Sequence, residues 1–137
     1  MEQHFQLSDI EFNRQFTNCT LSPDLFSHEA HLRLAWINIR NLGLEKAEEN
    51  IQNQLENFVA HVDAKDKYNK TVTIVAMKTV YYFMKQSKTT NFKDFIIETP
   101  QLKNNFKGLI NNHYSFDIFK SVKAKSEFLK PDLIAFD

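Results

Sequence analysis

Residues 27–64 read SHEAHLRLAWINIRNLGLEKAEENIQNQLENFVAHVDA, and this stretch indicates two consecutive amphipathic helices. Ser27 is a good N-cap for the first helix, Glu29 lies in the first turn where the helix dipole favours an acid, and Gly43 suits the position after the end. At about 100° per residue, we predict a helix to about Leu42 with one apolar and one polar face. The apolar stripe consists of His28, His31, Leu32, Ala35, Trp36, Ile39 and Leu42, and the polar face carries Glu29, Ala30, Arg33, Arg40 and Asn41.

The second helix of this stretch is predicted over roughly residues 44–64. Its apolar and polar residues again separate onto two faces, as expected for a helix that packs on one side. The apolar stripe consists of Leu44, Ala47, Ile51, Leu55, Phe58, Val59 and Val62. Because only Gly43 separates the two helices, we expect them to form an antiparallel hairpin.

Further helices are predicted on both sides of the hairpin. Ser8, with Glu11 three residues later, forms a capping box for a short helix over about residues 9–16. A fourth helix over about residues 68–85 is apolar nearly all round, which is typical of a central helix. The remaining predictions are short helices over residues 91–98, from Pro100, and from Ser115 to about Pro131, a polar turn over residues 111–113, and an extended tail over residues 132–137.

The composition favours a helical fold. The chain has only 2 Gly and 3 Pro, too few for the many tight turns of a sandwich or barrel. Its 13 Phe residues favour a core built on aromatic contacts. No repeat or linker divides the 137 residues. We therefore predict an all-α fold, a compact helical bundle of about four main helices plus short C-terminal helices, in a single domain over residues 1–137.

The charge balance argues against nucleic acid and membranes as partners. The chain has 17 basic and 17 acidic side chains, and phosphate affinity comes from clustered positive charge. It has no apolar run of about 20 residues that would span a membrane. Residues 1–7 are polar, unlike a secretion signal, and the lone Cys19 has no partner for an internal disulfide. We expect a cytoplasmic protein.

His28 and His31 are the leading candidates for chemistry. Residues three apart on a helix lie side by side, so both rings can converge on one point. Imidazole is the commonest metal ligand and an acid-base group near neutral pH, which makes the pair candidate ligands of a divalent transition metal. His61, Asp63 and Asp66 are candidate further ligands, although they form no known metal motif. The alternative is that the rings hydrogen-bond to each other, to backbone carbonyls or to a tyrosine.

The start of the fourth helix offers a second polar group, which contains Tyr68, Asn69 and Thr71. The N–H groups of a helix N-terminus bind anions, so this group is a candidate site for a small anion or carboxylate. The alternative is that these residues only cap the helix. Together with His28 and His31, they predict a ligand pocket between the two helix ends.

Four segments of the chain resemble a family of small bacterial helical proteins whose activity is not established. Residues 26–36, FSHEAHLRLAW, match the family pattern F-x-H-x-x-H-[LV]-R-[LV]-A-W, and residues 68–73, YNKTVT, resemble Y-H-E-T-[IL]-T. Tyr114-Ser115 and Pro131-Asp132-Leu133 resemble its last motifs. The resemblance implies a helical fold and a candidate site, but no activity. Where the family has His-Glu, this chain has Asn69-Lys70, which disfavours a metal site that uses all four positions.

Three functional hypotheses follow from these residues, and we rank them in this order. The first is the binding of a small molecule or anion by a homodimer, in a pocket near the histidine pair. Its ligand-binding residues are His28, His31, Tyr68, Asn69 and Thr71. The second is a small metal-dependent or histidine acid-base enzyme, and the third is a non-catalytic protein-interaction module.

Overall fold

The computed structural model describes residues 1–136, and this part of the chain contains helices and no strand. Its α-helices are α1 (Asp9–Thr17), α2 (His28–Leu42), α3 (Leu44–His61), α4 (Lys70–Gln86), α5 (Phe92–Glu98), α6 (Pro100–Asn104), α7 (Phe106–Asn111) and α8 (Val122–Ser126). Short 3₁₀ helices cover Gln3–Gln6, Pro23–Leu25 and Lys65–Lys67. The predicted all-α class, with four longer helices followed by short C-terminal ones, is confirmed. None of the described helices has the length and apolar character needed to cross a bilayer.

Contacts between residues divide the chain into two compact units, Met1–Tyr68 and Asn69–Asp137, the second of which is described as far as residue 136. The first is called the N-terminal unit below, and the second the C-terminal unit. The N-terminal unit contains α1 to α3, and the C-terminal unit contains α4 to α8. A single domain over residues 1–137 stays a prediction.

In the N-terminal unit, α2 and α3 pack against each other as a helical hairpin, and α1 contacts both. The Ser27 side chain caps α2 by accepting a hydrogen bond from a first-turn N–H, and Gly43 separates the helices with a positive φ of 78° that favours glycine. Asn38 Nδ2 donates to Gln54 Oε1 at 3.1 Å, and Gln54 Nε2 donates to Thr17 Oγ1 at 2.7 Å. This polar network, in which Asn38 and Gln54 are buried, joins all three helices.

The burial of α2 corrects the prediction of one apolar and one polar face. Glu29 and Arg33 were expected on the polar face, but their exposed fractions are only 6% and 4%. His28, expected on the apolar stripe, is exposed. The reason is that the N-terminal segment covers the face that carries Glu29 and Arg33. It supplies His4 as a partner for Glu29 and Asp9 as a partner for Arg33.

In the C-terminal unit, most of α4 between residues 71 and 80 is buried, as its apolar circumference predicts. Asn69 caps this helix, because its Oδ1 accepts a hydrogen bond from Val72 N at 2.9 Å. The short helix α8 packs against α4, while α6 contacts both α5 and α7. Buried aromatic residues such as Phe92 and Phe95 contribute to the core of this unit.

The predicted last helix, from Ser115, is wrong in its position. The last described helix, α8, begins at Val122 and is capped by the Ser121 side chain. Residues 112–120 instead form turns and bends. The reason is that Ser115 is bonded outside its own segment, where Asp132 accepts hydrogen bonds from its backbone N–H at 2.9 Å and from its hydroxyl.

Candidate functional sites

The predicted histidine pair occupies two different environments at the start of α2. His28 is the first residue of the helix and is exposed, whereas the His31 ring is half-buried. The His31 ring stacks on Phe26 with 5.3 Å between ring centroids. Its Nε2 atom is buried and has no hydrogen-bond partner within residues 1–136. The Tyr68 hydroxyl oxygen, in the same unit, is also buried. Only His31 of the pair therefore faces inward as the sequence predicts.

The protonation state of His31 follows from this environment. Burial, with a smaller contribution from the charge of His28, lowers the pKa of the His31 imidazole from 6.5 to about 4. The ring is therefore neutral at physiological pH and does not attract an anion by its charge. It can still offer a hydrogen bond or a lone pair to a ligand.

We expect the titration of His31 to destabilise the chain as the pH falls from about 6.5 to about 4. In this range the unfolded state binds a proton at His31 that the folded state does not, so the free energy of unfolding decreases as the pH decreases. The expected loss is about 2 kcal/mol, because partial solvation of the half-buried ring reduces the full penalty. Urea unfolding at about pH 7 and about pH 4.5 measures this difference.

Two variants separate this effect from the titration of carboxylates. His31→Phe keeps an aromatic ring next to Phe26 but removes the proton site, so its stability should vary less with pH than that of the wild type. His61→Phe changes an exposed histidine in the same unit and should retain the wild-type pH dependence. Equal pH dependence in all three proteins would show that His31 is not responsible.

Asn69 and Thr71, the other predicted ligand-binding residues, are bonded to protein groups in the C-terminal unit. Asn69 Nδ2 donates to the Ile118 carbonyl at 2.9 Å. Thr71 Oγ1 donates to the Glu127 carbonyl at 2.7 Å and accepts from Leu129 N at 3.1 Å. These bonds tie the start of α4 to segments that precede and follow α8. A ligand-binding role for these two side chains stays a prediction.

A different group of side chains in the N-terminal unit has the geometry of metal ligands. Within residues 1–136, Glu2, His4 and Glu29 form the one set of three His, Cys, Asp or Glu residues whose ligand atoms all lie within 4.8 Å of one another. His4 Nε2 lies 3.0 Å from Glu29 Oε2 and 3.8 Å from Glu2 Oε1. His4 and Glu29 are buried. His28 and His31 do not belong to this set, and their role as metal ligands stays a prediction.

Arg33 holds the N-terminal segment against α2 beside this group. Its Nη1 donates to the His4 carbonyl at 2.7 Å and lies 3.3 Å from His4 Nδ1. Nη2 donates to the Leu7 carbonyl at 2.8 Å, and Nε and Nη2 donate to Asp9 Oδ1 at 3.1 and 2.9 Å. The guanidinium also lies over the Phe12 ring, 4.9 Å from its centroid. Arg33 therefore neutralises Asp9 and fixes the backbone that positions His4.

Sequence reasoning missed this group because its members are far apart in the chain. Glu2 and His4 lie in a polar stretch without helical periodicity, and His4 is 25 residues from Glu29. One signal was available, since Glu29 and Arg33 are four residues apart and are therefore neighbours on a helix surface. That spacing indicates a charged stripe, but it does not identify the distant residues that pair with it.

The C-terminal unit contains a cavity of about 310 Å³. Its walls come from α4, from α7 with the turn that follows it, and from residues 134–136. The apolar side chains of Phe83, Leu109 and Phe136 line it together with the polar residues Thr79 and His113. This volume lies near the lower end of the range typical of small-molecule sites, about 300–1,000 Å³. The cavity is therefore large enough for a small ligand.

His113 places a fixed polar group in the lining of this cavity. Its Nδ1 lies 2.7 Å from the Ile134 carbonyl oxygen. A carbonyl only accepts hydrogen bonds, so Nδ1 carries the hydrogen and Nε2 of the neutral ring has a lone pair. The ring stacks on Phe136 with 3.9 Å between centroids. The His113 carbonyl accepts from Leu133 N at 3.0 Å, so the imidazole and the C-terminal segment hold each other in place.

The residues after His113 attach the C-terminal segment a second time. The Tyr114 hydroxyl donates to the Leu129 carbonyl at 2.7 Å, and burial together with the charge of Asp132 raises the pKa of Tyr114 to about 12. Hydrogen bonds from Ser115 hold the pKa of Asp132 below its usual value. Tyr114-Ser115 and the motif that contains Asp132, which carry part of the family resemblance, are thus bonded to each other.

The sequence predicts the local structure of segments that line this cavity, but it does not predict that these segments contact one another. It predicts a polar turn over residues 111–113, and the structure confirms a turn at residues 112–113. It predicts an extended tail over residues 132–137, of which Asp137 lies outside the described residues. Nothing in the spacing of these segments indicates that they approach Phe83 on α4.

Comparison of the chain with models of protein families, with curated proteins and with solved structures gives no match. The resemblance to the bacterial helical family stays a prediction that depends on the four sequence motifs.

Proposed function

We propose that this chain binds a small, uncharged and largely apolar molecule in the cavity of the C-terminal unit. The observation that supports the proposal is a cavity of about 310 Å³ whose lining combines apolar side chains with one oriented imidazole, that of His113. Sites for small molecules typically have apolar walls and a few fixed polar groups. The walls contribute affinity through burial of apolar surface, roughly 25 cal/mol per Å². His113 contributes selectivity through a hydrogen bond.

The lining favours a neutral aromatic ligand with a hydroxyl group. Among residues 1–136, those that line the cavity include no Asp, Glu, Lys or Arg, so an ionised ligand would lose its hydration without gaining an ion pair from them. Nε2 of neutral His113 accepts the hydrogen bond that a ligand hydroxyl donates. The rings of Phe83 and Phe136 suit contact with another aromatic ring. Phenols and related aromatic alcohols combine these properties.

Small-molecule binding is also the function class predicted from sequence, but the site proposed here is the cavity of the C-terminal unit and not the pocket near the histidine pair. The predicted pocket for a small molecule or anion near His28, His31, Tyr68, Asn69 and Thr71 stays a second candidate. It is supported by the buried Nε2 of His31, because a buried polar atom is normally satisfied by protein, water or a ligand. The metal-dependent or acid-base enzyme and the protein-interaction module also stay predictions.

We infer the origin, location and assembly of the protein from sequence alone. The family resemblance supports a bacterial source, and the lone Cys19, which has no partner for an internal disulfide, supports a cytoplasmic location. A homodimer is the predicted assembly, and light scattering during size-exclusion chromatography tests it. A mass of one chain at micromolar concentration would contradict the homodimer.

We expect the full-length chain to bind phenols and naphthols in ligand-observed NMR, with Kd of roughly 0.1–1 mM for ligands of about ten heavy atoms. Leu109→Trp fills part of the cavity and should weaken binding at least about tenfold, because overpacking excludes the ligand. Ile97→Trp adds the same ring at a position in the same unit that is 66% exposed, and it should leave Kd unchanged. Equal weakening in both variants would mean that the ligand lies outside the cavity.

A ligand pair tests the role of the imidazole. A naphthol and the matching methylnaphthalene have similar size, but only the naphthol donates a hydrogen bond. The wild type should prefer the naphthol by about five- to tenfold, the usual net contribution of one hydrogen bond. His113→Phe should abolish this preference while it retains affinity for methylnaphthalene. An unchanged preference in this variant would exclude His113 as the acceptor.

A further inference from the structure

Two carboxylates lie close together beside His4. Glu2 and Glu29 each place an oxygen atom within 4.8 Å of the other and of His4 Nε2. Like charges at this distance repel strongly where side chains are shielded from water, and Glu29 is buried. Arg33 is already bonded to Asp9 through Nε and Nη2. A divalent cation shared by the three side chains supplies two positive charges, which offset this repulsion.

We propose that Glu2, His4 and Glu29 bind a divalent transition-metal ion in the N-terminal unit. The two distances from His4 Nε2, 3.0 Å to Glu29 and 3.8 Å to Glu2, bracket the separation expected between ligands of a tetrahedral ion. That separation is about 3.3 Å for bonds of about 2.0–2.1 Å. One imidazole and two carboxylates suit Zn²⁺, Fe²⁺ or Mn²⁺. Three protein ligands leave a fourth position for water or another small ligand.

The surroundings of these side chains orient them for a shared ion. The His4 ring packs on Phe5 with 4.2 Å between centroids, and Arg33 fixes the His4 backbone through its carbonyl. The Ser27 hydroxyl donates to Glu2 Oε1, which orients that carboxylate. Outer partners of this kind commonly position metal ligands. This site is independent of the cavity, since it lies in the other unit and uses different residues.

Metal binding at this site changes which ring nitrogen of His4 carries the hydrogen. A guanidinium only donates hydrogen bonds, so the contact from Arg33 Nη1 makes His4 Nδ1 an acceptor and places the ring hydrogen on Nε2, which donates to Glu29. A metal ion must displace that hydrogen. With the ion on Nε2, the hydrogen moves to Nδ1, and Arg33 keeps its bonds to the His4 and Leu7 carbonyls.

Calorimetric titration of the chelator-treated, full-length chain with zinc tests the proposal. We expect one site per chain. Glu29→Gln and Glu2→Gln keep the side-chain size but remove a ligand charge, and each should weaken zinc at least about tenfold. His61→Gln removes an exposed histidine of the same unit and should leave the affinity unchanged. Circular dichroism establishes that each variant is folded.

Cobalt substitution gives a readout that surface binding does not produce. The wild type should show the visible absorption of tetrahedral Co²⁺, and Glu2→Gln should reduce this absorption. Glu2 is the better position for this test because its side chain is more exposed than that of Glu29, so the fold should tolerate its replacement. Three results would overturn the proposal: no zinc binding, equal affinity in wild type and both Gln variants, or loss of binding only in His61→Gln. The first result would mean that the three side chains only hydrogen-bond to one another. Either of the others would indicate an adventitious ion only.

Discussion

Replacing Arg33 with methionine should lower the free energy of unfolding by about 3–5 kcal/mol. Methionine retains the packing of the side-chain stem near Phe12, but it removes the donors that serve the His4 and Leu7 carbonyls and Asp9. Arg33 is buried, so these acceptors lose their partner where water does not fully replace it. Equilibrium unfolding in urea at about pH 7 measures the change.

The matched control is Arg14→Met. Arg14 also pairs with a carboxylate, that of Glu11, but its side chain is 57% exposed. Exposed pairs on one helix contribute little because water and salt screen them. The unfolding midpoint of this variant should therefore stay close to that of the wild type. If both variants were destabilised to the same small extent, the burial assigned to the Arg33 network would be incorrect.

Replacing Phe16 with alanine should lower the free energy of unfolding by about 3–5 kcal/mol. Phe16 is fully buried, and its ring stacks on Phe26 at 4.8 Å and on Phe58 at 4.7 Å between centroids. Removal of the ring leaves a space between α1 and α3 that the neighbours fill only in part. Because Phe26 also stacks on His31, water entering this space should raise the His31 pKa from about 4 towards 6.5.

Two measurements check this prediction. Urea unfolding gives the stability change, and the ring signals of His31 followed by NMR against pH give its pKa. Phe116→Ala is the control, since Phe116 is 41% exposed and lies in the C-terminal unit. It should cost less than about 1 kcal/mol and should leave the His31 titration unchanged. An unchanged His31 pKa in Phe16→Ala would show that the stacked rings do not shield this imidazole from water.

The helices were predictable because their signals are local. Ser27 and Gly43 mark the two ends of α2, and Ser8 marks the start of α1, at positions that the structure confirms. The polar residue that caps α4 is Asn69, which the sequence also places at the start of that helix. At Ser8, Ser27 and Asn69 the capping side chain accepts a hydrogen bond from the backbone N–H three residues later. Such contacts depend on the sequence nearby and not on the rest of the fold.

The relative positions of the candidate site residues were predictable only where both residues lie on the same helix and their spacing in sequence sets the distance between them. The spacing of His28 and His31 correctly placed them on neighbouring positions, but it did not show that one is exposed and the other covered by Phe26. Periodicity identifies an apolar face. It does not show that a charged residue such as Glu29 is buried by a segment that starts at Met1, because that depends on long-range packing.

The cavity was unpredictable for the same reason. The orientation of the His113 ring depends on its hydrogen bond to the carbonyl of Ile134, which is 21 residues later in the chain. The helix expected from Ser115 does not form there because Asp132, 17 residues away, accepts its hydrogen bonds. Local propensity at these positions is weak, so contacts between distant segments decide the structure. The same contacts build the wall of the proposed ligand site.

The most direct test of ligand binding in the C-terminal unit is a titration of the methyl-labelled, full-length chain with a naphthol, followed by two-dimensional NMR. We expect saturable shifts of the Leu109 and Ile134 methyl signals, because both side chains line the cavity. The signal of Ile97, an exposed residue in the same unit, should not move. If Leu109 and Ile134 stay unmoved at saturating ligand, or if only signals elsewhere shift, the cavity is not the binding site.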